Sequence, residues 1–111
     1  MSVAPSDICV VLMTAPSADV AASIGRTVVE ERLAACANIV PGLRSIYAWQ
    51  GKICDESEVL CIIKTRRALF DRLRDRIAGL HPYDVPEIVA IDPSAVSAAY
   101  AKWLVESTRD P

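Results

Sequence analysis

Ala35–Thr65 reads ACANIVPGLRSIYAWQGKICDESEVLCIIKT, the pattern of two long strands folded back on one short turn. Leu43, Ser45, Tyr47 and Trp49 alternate with Arg44, Ile46 and Ala48, which is the period of two of a strand. Gln50-Gly51-Lys52 supplies the turn. Ile53 resumes the strand pattern, an acidic patch of Asp55, Glu56 and Glu58 interrupts it, and Val59–Ile63 is a continuous apolar run. Such a run suits a central strand covered on both faces.

The length of this hairpin has a consequence for assembly. Ala35 to Trp49 at ~3.3 Å per residue would reach roughly 50 Å if straight, whereas a domain of this size is about 35 Å across. The hairpin therefore overhangs its own domain, even if Pro41-Gly42 kinks or bulges the first arm. A projecting arm that carries Tyr47 and Trp49 exposes apolar rings and strand edges, which proteins usually cover with another chain. The expectation is an oligomer.

The 111 residues are 52% hydrophobic and 23% charged, which fits a single domain over residues 1–111 with a substantial core. A net charge of -2 gives no reason to expect nucleic acid or an anionic membrane as partner. The series Arg72, Arg74, Arg76 alternates with Asp71 and Asp75 and reads as a solvated helix face. Met1–Asp7 lacks the basic region and apolar run of a leader, and no apolar stretch approaches spanning length. The location expected is the cytoplasm. Cys9, Cys36, Cys54 and Cys61 form no CxxC pair, so they read as free thiols, with Cys9 and Cys61 buried in strands.

In chain order, Ile8–Met13 is a buried strand. Ser17 then caps a helix whose apolar positions recur every four residues as far as Arg32/Leu33. After the hairpin, Thr65 is placed to cap a second helix bearing Leu69, Phe70, Leu73, Ile77 and Leu80, with Gly79 as its stop. His81-Pro82-Tyr83-Asp84-Val85-Pro86 is a rigid loop. Glu87–Ile91 is a fourth strand, and Asp92-Pro93-Ser94 opens a last helix with Val96, Tyr100, Trp103 and Leu104 on one side. The predicted class is α+β: a ferredoxin-like split βαβ sandwich, βαββαβ plus a C-terminal helix, with a long projecting central hairpin. Helices of this chain cover one sheet face, so the other calls for a neighbouring subunit or the last helix.

The segments Thr14-Ala15-Pro16, RLAACANIVPG at Arg32–Gly42, SIYAWQGKI at Ser45–Ile53, Glu58, IIKT at Ile62–Thr65, HPYDVPEI at His81–Ile88, and Tyr100 with Trp103 occur in one order. On these the chain resembles the CutA family of divalent-cation tolerance proteins, from about Val10 to Trp103. The resemblance implies a ferredoxin-like homotrimer built through the hairpins and a role in tolerance of copper and other divalent cations. Met13 stands where some members carry a cysteine proposed to bind copper, Leu80 where some carry a second histidine, and Cys54 where an acidic residue is more usual.

Candidate residues each have two readings. His81, the single histidine, is a turn residue bonding its own loop or a metal ligand. Cys36 is a buried thiol or a ligand. Tyr47, Trp49 and Tyr83 are simplest as interface and loop packing, while Glu58, Lys64 and Glu87 form structural ion pairs or line a cleft. Strand directions put Met13 and His81 at one rim of the sheet and Cys36 at the other, so an ion shared by Cys36 and His81 would need two subunits. With what the resemblance implies, the metal candidates are His81, Cys36 and Met13, expected to hold copper or another divalent cation weakly in clefts between subunits.

An enzyme is not expected. The loop Thr14–Ser17 has neither the glycines of a phosphate cradle nor the arginine an acylphosphatase-like site would use, and no nucleophile and base are recognisably spaced. The alternative is a trimeric small-ligand sensor of PII type, or a signalling or scaffold protein. The compact hairpin, in place of a long mobile loop, argues against the PII type.

Overall fold

The computed structural model describes residues 3–111, in the order β1 (Ile8–Ala15), α1 (Ala18–Glu30), β2 (Cys36–Trp49), β3 (Lys52–Arg66), α2 (Phe70–Leu80), β4 (Ile88–Ile91) and α3 (Ala98–Ser107). Single 3-10 turns occupy Pro5–Asp7 and Arg67–Leu69. The four strands form one antiparallel sheet in the order β2-β3-β1-β4. This is a mixed α+β fold.

The hairpin turns over two residues, not three: Gln50 (φ 50°) and Gly51 (φ 76°) both take the left-handed region, and Lys52 already pairs with Trp49. A two-residue turn of this kind matches the right-handed twist of the flanking strands. The acidic patch does not break β3, because exposed Asp55 and Glu56 remain in the ladder opposite Ile46 and Ser45. Arg44 donates to both oxygens of Asp55 at 2.8 and 2.6 Å across the two strands. Pro41-Gly42 does interrupt the first arm, with a register shift between Val40 and Leu43 and Gly42 at φ 91°.

β1 reaches β3 only as far as Val59, so Lys52–Glu58 pairs with β2 alone. That leaves a two-stranded arm of about 23 Å at ~3.3 Å per residue. The molecule accordingly measures 50 × 26 × 22 Å.

Ser17 caps α1 as expected, its Oγ accepting from the Val20 N–H at 3.2 Å. The helix ends at Glu30, short of Leu33, because Arg32 turns left-handed (φ 59°) and the Leu33 N–H bonds back to the Val28 carbonyl at 2.9 Å. That is a Schellman closure with arginine where glycine is usual. The Arg32 guanidinium donates to the Glu106 carbonyl at 2.8 Å and so ties the closure to the end of α3.

Two expected caps are elsewhere. Thr65 lies inside β3 and donates to the Leu33 carbonyl at 2.6 Å, so α2 follows a 3-10 turn and has no side-chain cap. It also runs past Gly79 to Leu80. The last helix starts at Ala98, capped by Ser97, and leaves Asp92–Val96 as loop. Its buried face is Ala101 and Leu104, while Tyr100 and Trp103 stack on each other at 5.5 Å near the surface.

α1 and α2 cover one face of the sheet. Val11, Met13, Cys61 and Ile63 meet Ile24, Val28, Leu73 and Ile77 there in a buried core, and Cys9 and Cys61 are buried as read from the sequence. Gly25 lets α1 approach closely, since a Cβ at that position would lie 2.9 Å from the Ala37 Cβ. On the other face α3 covers one corner, with Ile8, Ala35, Ala101 and Leu104. Val10, Leu12, Leu60 and Ile62 are only half-buried, and Val40, Val89 and Ile91 are exposed. Val59–Ile63 is therefore covered on one side alone within the chain.

Candidate functional site

The arm, the end of β1 and the loop after α2 enclose a cleft of about 440 Å³. Tyr47 and Trp49 contribute from β2, Glu58 from β3, Thr14 from β1, and Tyr83 and Glu87 from the loop. Alternation places Tyr47, Trp49, Glu56 and Glu58 on the face shared with half-buried Leu60 and Ile62. The cleft is thus continuous with the uncovered side of the sheet.

His81 organises the loop. Its Nε2–H donates to the Thr14 carbonyl at 2.7 Å, and its Nδ1 accepts from the Tyr83 N–H at 3.1 Å. The Tyr83 ring packs 4.7 Å from the imidazole, and its hydroxyl donates to Glu58 Oε2 at 2.8 Å. Thr14, His81, Tyr83 and Glu58 thereby form a continuous chain of contacts from β1 to β3. Glu58 is buried, 7% exposed, and its remaining lone pairs are available to a ligand. Both imidazole nitrogens are already engaged, so His81 would bind an ion only by releasing one of these bonds.

Tyr47 donates to Glu56 Oε2 at 3.1 Å. Burial, then the bond to Glu56 and its charge, push the Tyr47 phenol up to about 12, with smaller contributions from Cys54. Burial and the Glu58 bond raise Tyr83 as well, and the charges of Tyr47 and Glu56 reach it. Because the neutral phenol is favoured in the fold, the Tyr47 contribution to stability is fully present below pH 10 and is lost as pH rises through about 12. In a spectrophotometric titration Glu56→Gln should move the Tyr47 transition down toward 10. An unmoved transition would mean that Glu56 does not set it.

The other candidates lie apart. Lys64 bonds to Asn38 on the uncovered face, about 20 Å along β3 from Glu58 at ~3.3 Å per residue. Cys36 faces the same side and sits 3.5 Å from the Tyr100 hydroxyl. Burial and that contact push Tyr100 up to about 12. Met13 is fully buried on the helix side. Cys36 pairs with Lys64 and Met13 with Cys61, which separates them by about 14 Å from strand geometry, on opposite faces. Within one chain His81 stands at the Met13 rim, bonded to Thr14, and Cys36 does not join them. Among the described residues no group of three or more His, Cys, Asp or Glu could hold a metal ion.

Sequence reasoning missed Glu56 and Thr14. Glu56 shares the parity of Glu58 and stands across from Ser45, beside Tyr47, so alternation alone could have found it. Thr14 contributes a backbone carbonyl, which leaves no trace in residue type.

The family model described as "CutA1 divalent ion tolerance protein" matches residues 9–107. The divalent-cation tolerance protein CutA of Thermus thermophilus is 52% identical over 99 residues, 89% of this chain and 96% of that protein. Protein CutA of Homo sapiens is 41% identical over 104 residues, 94% of this chain but 58% of that protein, so the chain spans little more than half of it. The solved structure of CutA1 from Oryza sativa superposes with a TM-score of 0.90 at 40% identity, covering 94% of this chain and 95% of that one.

Proposed function

Because the chain belongs to the CutA1 divalent ion tolerance family, we propose that it serves divalent-cation tolerance as a non-enzymatic homotrimer, binding copper or another divalent cation weakly at clefts between subunits. In this reading residues 1–111 form one ferredoxin-like domain, and the projecting arms hold the trimer together. The four free cysteines favour the reducing cytoplasm as its location.

The observation that carries the reading is the position of the cleft. It joins a buried carboxylate, Glu58, to the edge of an apolar sheet face that this chain leaves half-covered. A neighbour seated on that face would complete the cleft wall. Donors from one chain make an incomplete shell, which supports weak rather than tight binding in this reading. If His81 and Cys36 share an ion, they come from different subunits.

Calorimetric titration of copper into the parent protein, His81→Ala, Cys36→Ser and Glu58→Gln tests this. Binding should weaken in Glu58→Gln, and in the other two if they supply ligands across the interface. Equal binding by all four would remove the metal site. At about 440 Å³ the cleft is large for a bare ion, which favours, as a second reading, a trimeric small-ligand sensor.

A further inference from the structure

The side chains of the cleft select among ligand classes, and this step rests on the cleft being the ligand site. Glu58 and Glu87 line it, and Glu56 stands behind Tyr47. No lysine, arginine or histidine is among its lining residues. This chain's side of the cleft therefore does not favour nucleotides and other phosphates, since such anions are held by arginine, lysine or helix N-termini. Trp49, Tyr47 and Tyr83 present aromatic rings around the same space. Tyr83 lies within electrostatic reach of Tyr47 and Glu56 and is bonded to Glu58, so rings and carboxylates belong to one constellation.

A hard metal ion gains little from aromatic faces, because it is bound through oxygen ligands and held water. A weakly hydrated organic cation gains from both ring quadrupoles and carboxylates. We propose that the cleft is an aromatic cage for an organic ammonium ion, with Trp49, Tyr47 and Tyr83 as the cage walls and Glu58 as the principal counter-charge. Divalent metal then competes for the same carboxylate as a poorer fit. Tyr83, held by His81 through its backbone N–H, is oriented before the ligand arrives.

The test titrates tetramethylammonium chloride into the protein by calorimetry, beside tert-butanol as an uncharged molecule of similar shape. The ammonium should bind at least tenfold more tightly than the alcohol. Glu58→Gln, which keeps the shape and the bond from Tyr83, should weaken it at least fivefold. Should that variant not fold, Glu87→Gln at an exposed position should weaken it in the same direction. Equal affinity for ammonium and alcohol, no ammonium binding, or unchanged affinity in the folded charge variant would each overturn the assignment. Copper binding that is lost in Glu58→Gln while tetramethylammonium never binds would overturn the cage and leave the cation-tolerance reading standing.

Discussion

Replacing Trp49 with glutamate is expected to weaken self-association by about 100-fold or more, which corresponds to roughly 3 kcal/mol. Trp49 is 42% exposed in the single chain, and Tyr47 at 39%, Ile46 at 65% and Ile53 at 75% accompany it on the arm. A two-stranded ribbon without a third strand is marginal in water. These side chains are the surface on which the proposed trimer would close. A charge placed in a desolvated contact without a partner costs about 3–5 kcal/mol, more than the exposed Arg44–Asp55 pair on the arm could offset. Sedimentation at micromolar concentration should give a trimer for the parent protein and a smaller species for Trp49→Glu, with unchanged far-ultraviolet dichroism from the core. A parent protein that sediments as a monomer would end the trimer proposal.

Strand periodicity made the arm legible, because alternation at Leu43–Trp49 and glycine at position 51 are local properties. The helix starts were harder. Thr65 is as good a cap as Ser17 by residue type, but the ladder to β1 extends through Arg66 and captures Thr65 for the sheet. Asp92-Pro93-Ser94 reads as the better helix start by residue type, yet that segment is loop and Ser97 is the cap. In the site, Tyr47, Trp49, Glu58, Tyr83 and Glu87 were named from sequence and do line one cleft, whereas Lys64 does not. Lys64 shares its parity with Glu58, and only distance along the strand separates them. The bond of His81 within its own loop is one of the two readings of that residue, and strand directions already put it at the rim where β1 ends; only the choice of the Thr14 carbonyl as partner leaves no trace in residue type.

The apolar run Val59–Ile63 holds two neighbours whose burial differs, and they should fail differently. Ile63 is fully buried against the helices, while Ile62 is half-buried on the uncovered face. Ile63→Ala leaves a cavity that the packed core cannot close, and should cost about 2–5 kcal/mol of stability. That loss belongs to the protomer, so part of it should persist whatever the protein concentration. Ile62→Ala removes little from the protomer alone, since its side chain already meets water. If a subunit covers that face, the loss appears in association, so the Ile62→Ala midpoint should lie below the parent's wherever the parent is assembled, and the gap should narrow as dilution dissociates both. Urea unfolding of both variants at two protein concentrations about 50-fold apart separates the cases. An Ile62→Ala midpoint equal to the parent's at a concentration where the parent sediments as an assembly would place that residue outside any subunit contact, and with it the uncovered face of β3.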